Sequence, residues 1–178
     1  MTGPRRFRRS GLRGPWRIAV VEGSMLPAIE SGDWLLVDPT TGAWPRRGTA
    51  VVFREPGSGE LAIKRVAARP GDWVPFTDGY LQLGADEAWL IGDATDEALA
   101  DAGYGPAVDS RVYGPVPLEA LVARAWLRYW PRSRIGRIAR LTGNLIERGR
   151  EGRVPVAPDA RPEVPLNEGR PASGVDGA

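Results

Sequence analysis

Between residues 16 and 91 apolar and polar positions alternate in short runs. A two-residue period puts successive side chains on opposite faces of an extended backbone, so each run predicts a strand. The candidates are Trp16–Val21, Trp34–Val37, Thr49–Arg54, Leu61–Ala67, Trp73–Phe76, Tyr80–Leu83 and Ala88–Ile91. Turn-forming stretches separate them: SGD, DPTTG, EPGSG, RPGD and TDG. After Pro117 the spacing changes. Leu118, Leu121, Val122, Ala125 and Trp126 recur as on one helix face up to Pro131. Further on, Ile135, Ile138, Leu141, Leu145 and Ile146 stand against Arg134, Arg137, Arg140 and Arg148, the pattern of a basic amphipathic helix. The expected organisation is a basic flexible arm over 1–15, a mainly β domain over 16–131, that helix over 132–150, and a disordered Pro/Gly-rich tail over 151–178.

Composition narrows the chemistry. A chain of 178 residues, 42% of them hydrophobic, suffices for one domain with a core. It contains no cysteine, which removes disulfides, thiolate catalysis and Cys-ligated metals. It contains no histidine, which removes the usual general base and the Ser-His-Asp triad. No dense acidic cluster suggests a carboxylate-held cation, so no cofactor or metal is expected. The 24 basic and 22 acidic residues nearly balance, but they are unevenly placed. The arm GPRRFRRSGLRGPWR and the stretch RYWPRSRIGRIAR are basic, whereas Asp86–Asp101 is acidic. Basic segments suit an anionic surface. Peripheral contact with anionic membrane is therefore an expectation, and nucleic acid is not expected as a partner. No apolar run approaches the roughly 20 residues of a membrane span, and no apolar core of signal-peptide length follows the basic start. These features predict a cytoplasmic or peripherally membrane-associated protein. The seven tryptophans fall within or beside the strand candidates, as core or groove walls.

Two residues stand out chemically. Ser24 sits between a glycine and Met-Leu-Pro, just after the first strand candidate. Lys64 is the single lysine; the other 23 basic residues are arginine. Arginine stays protonated in proteins, whereas a desolvated lysine amine can become neutral and accept a proton. In the alternation of GELAIKRVAARPGD, Lys64 shares a face with Ala62 and Val66, which are small and apolar. A serine with a neutral lysine forms an activated nucleophile of the Ser-Lys type.

Three boxes, in order, carry a resemblance. GSMLP contains Ser24; IKRVAARPGDWV contains Lys64; LIGDATDEALADAGYGPAVDSRVYGPV contains Gly92-Asp93, Asp109-Ser110-Arg111 and Tyr113-Gly114-Pro115. Together they span about Val21 to Val116 and resemble the type I signal peptidase family of Ser-Lys peptidases. The resemblance implies a signal-peptidase-like coiled β-sheet with an extended groove for a peptide strand. It implies Ser24 as nucleophile and Lys64 as general base. Met25, Pro27, Arg65, Gly92, Asp93, Asp109, Ser110 and Arg111 would shape and brace the site. It further implies an endopeptidase that removes an N-terminal leader or signal peptide from a precursor protein, the expected partner. The ending ALVARAWLRYWPRSRIGRI is similar to the tail of small anchorless members such as the nickel-type superoxide dismutase maturation proteases.

The sequence departs from the family pattern at several points. Ala28 replaces a frequent threonine, Ala94 an asparagine, and Ala107 a serine that orients the lysine. Glu22 occupies a position where some members keep a hydroxyl near the oxyanion, and a carboxylate there is expected to point away. The stretch from Gly92 to Asp109 is longer than is common in the family. These changes define the alternative: a catalytically weakened member acting as a peptide-binding or membrane-associated scaffold.

Overall fold

The computed structural model of the chain describes residues 16–77, 79–143 and 145. The arm expected over 1–15 and the tail expected over 151–178 lie outside the described residues. Seven strands form where the alternation predicts them: β1 Trp16–Ala19, β2 Trp34–Asp38, β3 Ala50–Arg54, β4 Leu61–Ala68, β5 Trp73–Phe76, β6 Gly79–Gln82 and β7 Glu87–Ile91. Helix α1 (Asp96–Asp101), the one-turn α2 (Ser110–Tyr113) and strands β8 (Val116–Pro117), β9 (Leu121–Trp130) and β10 (Gly136–Arg137) follow.

The main sheet is antiparallel, in the order β1-β2-β9-β3-β4-β7-β8, with β10 paired to β9. β5 and β6 form a separate hairpin. β3 shows why the sheet curls. Its Val52 packs with Leu35, Val37, Ala123 and Ala125, while its Val51 and Phe53 pack with Val66, Leu90 and Val116. Both faces of this strand are buried, so the chain must close over each side of it. A third cluster, including Val74, Leu81 and Trp89, joins the hairpin to β4 and β7. Trp44 and Trp89 are core residues; the Trp44 indole N–H donates to the Asp86 carbonyl at 2.8 Å.

The two helices expected after Pro117 are not present among the described residues. Leu118–Ala120 is a single 3-10 turn, and Leu121–Trp130 is strand β9. Its apolar residues satisfy two periods at once: Leu121, Ala123 and Ala125 alternate inward while Arg124 points to solvent. Pairing decides between them, because β9 lies between β2 and β3 and fills ladders on both sides. In the stretch read as a basic helix, Arg132–Arg134 is a 3-10 turn and Gly136–Arg137 is β10, and residues 138–143 are not helical. Tertiary partners claim the backbone there. The Ile138 N–H donates to Trp126, the Leu141 N–H donates to Gly48, and the Ala139 carbonyl accepts from Arg65. Ile138 packs on the first core and Leu145 on the third. Conversely, α1 formed where no helix was expected; its Thr95 cap accepts from the Ala98 N–H, with Asp96 and Glu97 in the first turn. No helix among the described residues is long and apolar enough to cross a membrane.

A buried ion pair ties these parts together. The Arg65 Nε donates to both oxygens of Asp93 at 2.8 and 2.9 Å, and its Nη1 donates to Gly48 and Ala139. Arg65 is 1% exposed. Arg65→Met is expected to lower unfolding stability by about 3–5 kcal/mol in chemical denaturation, because Asp93 is left buried without its cation. A loss near zero would show that the pair does not brace the fold.

Candidate active site

Ser24 lies in the turn that follows β1, and its position is fixed from inside. Met25 and Ile29 point into the first core cluster and are fully buried. Fully burying such a side chain stabilises by roughly 1.5–3 kcal/mol. From outside, the Arg128 Nη1 donates to the Ala28 carbonyl at 2.9 Å and pairs with Asp33 at 3.2 Å. Arg134 pairs with Glu30 and Asp33 and donates to the Pro27 carbonyl at 3.4 Å. Asp33, 1% exposed, in turn accepts from the Glu30 N–H at 2.9 Å. The apolar anchors root the turn in the core, while the two partly buried arginines, paired with the buried Asp33, fix its orientation.

Lys64 is in the middle of β4, opposite Val51 of β3. It is 2% exposed and lies between Ala62 and Val66 along the strand. Successive strand residues face opposite ways, so Lys64 and Arg65 serve different sides: one faces a cleft, the other the Asp93 pair. Ser24, 8% exposed, and Lys64 line the same cleft of about 290 Å³. Glu22, Gly23 and Glu55 complete its inner side, and Leu99, Tyr104 and residues 105–108 form its outer wall.

Burial holds the Lys64 amine below the ordinary lysine range, because desolvation penalises the ammonium. Asp109, Glu22 and Glu55 oppose this. Their pull is limited for physical reasons. Glu22 is exposed and Glu55 half-buried, so water screens them. Asp109 is buried, but Arg111 grips both its oxygens at 2.9 and 2.8 Å and adds a nearby positive charge. Among the described residues no carboxylate comes within ion-pair distance of Lys64.

The remaining residues of the third box brace the end of β7 against the Ser24 turn. The Asp109 carboxylate caps α2 through the Arg111 N–H and accepts the Gly92 N–H at 3.1 Å. The buried Ser110 hydroxyl accepts the Leu90 N–H at 2.9 Å. The Ala94 N–H donates to the Ser24 carbonyl at 3.2 Å. Gly92 permits this approach: a Cβ there would stand 2.5 Å from the Ser24 carbonyl oxygen. The structure thus brings Ser24, Lys64, Gly92 and Asp109 together, with Asp93 and Arg65 behind them. Met25 is a core anchor, and Pro27 is exposed on the outside of the turn.

Glu22 is exposed and lines the cleft beside Ser24, at its wet mouth, where water screens its charge. None of the described tryptophans lines this cleft; Trp34 and Trp130, with Tyr129, border a separate hollow where the start of β2 meets the end of β9. Sequence reasoning missed Asp33, Arg128, Arg134, Glu55 and Tyr104. Asp33 follows the turn glycine Gly32 and reads from the sequence only as a turn residue, and Arg134 reads as part of the basic helix face.

Comparison with known proteins identifies the family. A family model described as "Signal peptidase, peptidase S26" matches residues 14–102, half of the chain. The chain is 30% identical over 139 residues to "Signal peptidase I" of Leptolyngbya laminosa, covering 65% of this chain and 68% of that protein. It is 28% identical over 154 residues to "Thylakoidal processing peptidase 1, chloroplastic" of Arabidopsis thaliana, covering 71% of this chain and 45% of that protein. It is 30% identical over 117 residues to "Mitochondrial inner membrane protease subunit 1" of Schizosaccharomyces pombe, covering 61% and 69%. The chain therefore belongs to the signal peptidase family, peptidase S26, and is a serine endopeptidase.

Proposed function

We propose that this peptidase removes an N-terminal leader from a precursor protein with Ser24 as nucleophile and Lys64 as general base. The observation that carries the reading is a buried lysine, its amine held below the ordinary range, lining one cleft with a buried serine in a chain without histidine. The neutral Lys64 amine takes the Ser24 hydroxyl proton as Oγ bonds to the scissile carbonyl carbon. The Ser24 N–H, which donates to no other described residue, is available to the oxyanion. As the intermediate collapses, the C–N bond breaks and the Lys64 ammonium gives its proton to the leaving amine. Water, deprotonated by the same amine, then splits the acyl ester and restores Ser24.

The chain spans under half of the length of the thylakoidal relative and about two thirds of the cyanobacterial one. The leader and its precursor are therefore part of the proposal, as is the nickel-type superoxide dismutase maturation role to which the sequence ending points. Peripheral attachment to anionic membrane belongs to it too. Trp34 and Trp130, 44% and 48% exposed, lie opposite one another on β2 and β9 next to the exposed Arg132. Trp34→Ala with Trp130→Ala is expected to weaken binding to vesicles containing anionic lipid in flotation; undiminished binding would remove this contact.

Two outcomes test the chemistry. Wild type is expected to gain one acyl group from an activated ester, read by intact mass, and Ser24→Ala none. Lys64→Arg keeps the charge without a removable proton, and is expected to lose about 10²–10⁴-fold in acylation rate. Wild-type rates in Lys64→Arg would exclude the lysine as base. The second outcome is a pH profile. Because burial lowers the folded-state value, the neutral amine accumulates as pH rises, and kcat/KM climbs with one ionisation below the ordinary value of about 10.4. Arg111→Gln frees the Asp109 carboxylate to stabilise the ammonium, and should shift that midpoint to higher pH. A shift to lower pH, or a flat profile, contradicts the assignment.

A further inference from the structure

Two carboxylates line the cleft of Ser24 and Lys64 and have no part in the chemistry above. Glu22 lies two residues before Ser24 on the serine turn, and Glu55 follows β3, the strand whose Val51 pairs with Lys64. They reach one cleft from separate elements. Both also act on the Lys64 amine, so both stand near it.

The protein neutralises neither of them. Among the described residues no arginine or lysine forms an ion pair with Glu22 or Glu55. The Ser58 hydroxyl donates to Glu55 Oε2 at 2.9 Å, which holds that side chain without cancelling its charge. Two arginines close in sequence or in space are engaged elsewhere. Arg54 donates to the Gly59 carbonyl at 3.2 Å, and Arg111 pairs with Asp109 at 2.8 Å. Lys64, 2% exposed and without an ion pair to a described residue, does not offset them, because burial favours its neutral form. The cleft lining is therefore negative. Helix α1, whose Leu99 belongs to the outer wall, carries the exposed Asp96, Glu97 and Asp101. Asp96 accepts the Ala107 N–H at 3.2 Å, which ties this acidic helix to the rest of that wall.

Such a charge works against acyl transfer. Attack by Ser24 develops negative charge on the carbonyl oxygen, and an unneutralised carboxylate two residues away disfavours it. A cation seated between Glu22 and Glu55 removes the conflict, and a cleft of about 290 Å³ has room for one.

The geometry points to Glu22 and Glu55 as the recognition site for a basic side chain of the precursor, an arginine or lysine bound in the cleft beside the bond to be cut. This rests on Ser24 being the nucleophile. A guanidinium can offer N–H groups to both carboxylates at once. Water reaches the cleft mouth, so each contact is worth at most about 5-fold in rate.

The test separates charge from shape. Wild type, Glu22→Gln, Glu55→Gln and the double variant are offered the p-nitrophenyl esters of 6-guanidinohexanoic acid, 6-ureidohexanoic acid and adipic acid. These are a cation, its neutral near-isostere and an anion on flexible straight chains. Ser24 Oγ takes the acyl group and p-nitrophenolate leaves; kcat/KM and acyl-enzyme mass are both read. In wild type at low salt the guanidino ester is expected to exceed the ureido ester by about 5-fold or more, and the adipate to be slowest. The preference should shrink in 1 M salt, where screening acts over about 3 Å. Each single variant should lose part of it and the double variant nearly all, whereas Glu22→Asp, which keeps the charge, should retain most. The ratio does not depend on the fraction of active protein, so partial misfolding leaves it unmoved. Equal rates for the guanidino and ureido esters in wild type, or a preference unchanged in the double variant, overturn this inference and leave the nucleophile assignment standing. Absence of a Ser24 acyl-enzyme with all three esters overturns the nucleophile assignment, and this inference falls with it.

Discussion

An ammonium-bearing side chain removed from water in the middle of a strand is the constraint on which this structure turns. Lys64 has almost no solvent contact and no carboxylate within ion-pair reach among the described residues. A buried charge without a close partner is costly, and proteins relieve that cost by shifting the group toward its neutral form. The fold tolerates Lys64 because β4 pairs on both sides, with β3 and with β7. Withdrawing the lysine would break its pairing with Val51 and disturb the β7 ladder that begins at Arg65. The strand therefore holds the amine in a place its own solvation disfavours, and that is the condition a lysine base requires.

The electrostatics around it are arranged by distance and by prior engagement. Asp109 is buried and acts on Lys64, yet Arg111 and two backbone N–H groups already occupy its oxygens. Glu22 and Glu55 stand where water reaches them. Arg65, the next residue along, is buried too, but the bidentate contact with Asp93 and two carbonyls satisfy its charge. Neighbouring basic residues on one strand thus differ: Arg65 is held by a bidentate carboxylate and two carbonyls, whereas Lys64 has no carboxylate within ion-pair distance among the described residues. The same frame sets the serine. Gly92 lets the end of β7 approach the Ser24 carbonyl, while Met25 and Ile29 root the turn in the core.

Legibility differed by element. The strands from Trp16 to Ile91 announced themselves as short apolar-rich runs bounded by turn residues, with a period of two where one face is exposed, as in β1 and β2, and as near-continuous apolar runs where both are buried, as in β3. Even the irregular ends were close, with β1 stopping at Ala19 so that residues 20–24 are free to turn. β9 was misread because Leu121, Val122, Ala125 and Trp126 fit a helix as well as Leu121, Ala123 and Ala125 fit a strand. A sequence carries no record of which ladders await a partner. Arg134 and Ile138 resembled two faces of one helix, yet one grips Glu30 and Asp33 and the other packs under β9.

By itself the sequence determined the mainly β character, the absence of histidine and cysteine chemistry, and the singling out of Ser24 and Lys64. Those follow from local periodicity and from residue identity, both of which are properties of the chain alone. Tertiary structure decided that Ser24 and Lys64 share a cleft, that Glu22 lines it, that Arg128 and Arg134 clamp the serine turn, and that Tyr104 lies on Gly23. These are meetings of segments up to about a hundred residues apart, as between Ala28 and Arg128. They depend on how the sheet curls and which strands pair, and only the folded chain holds that information.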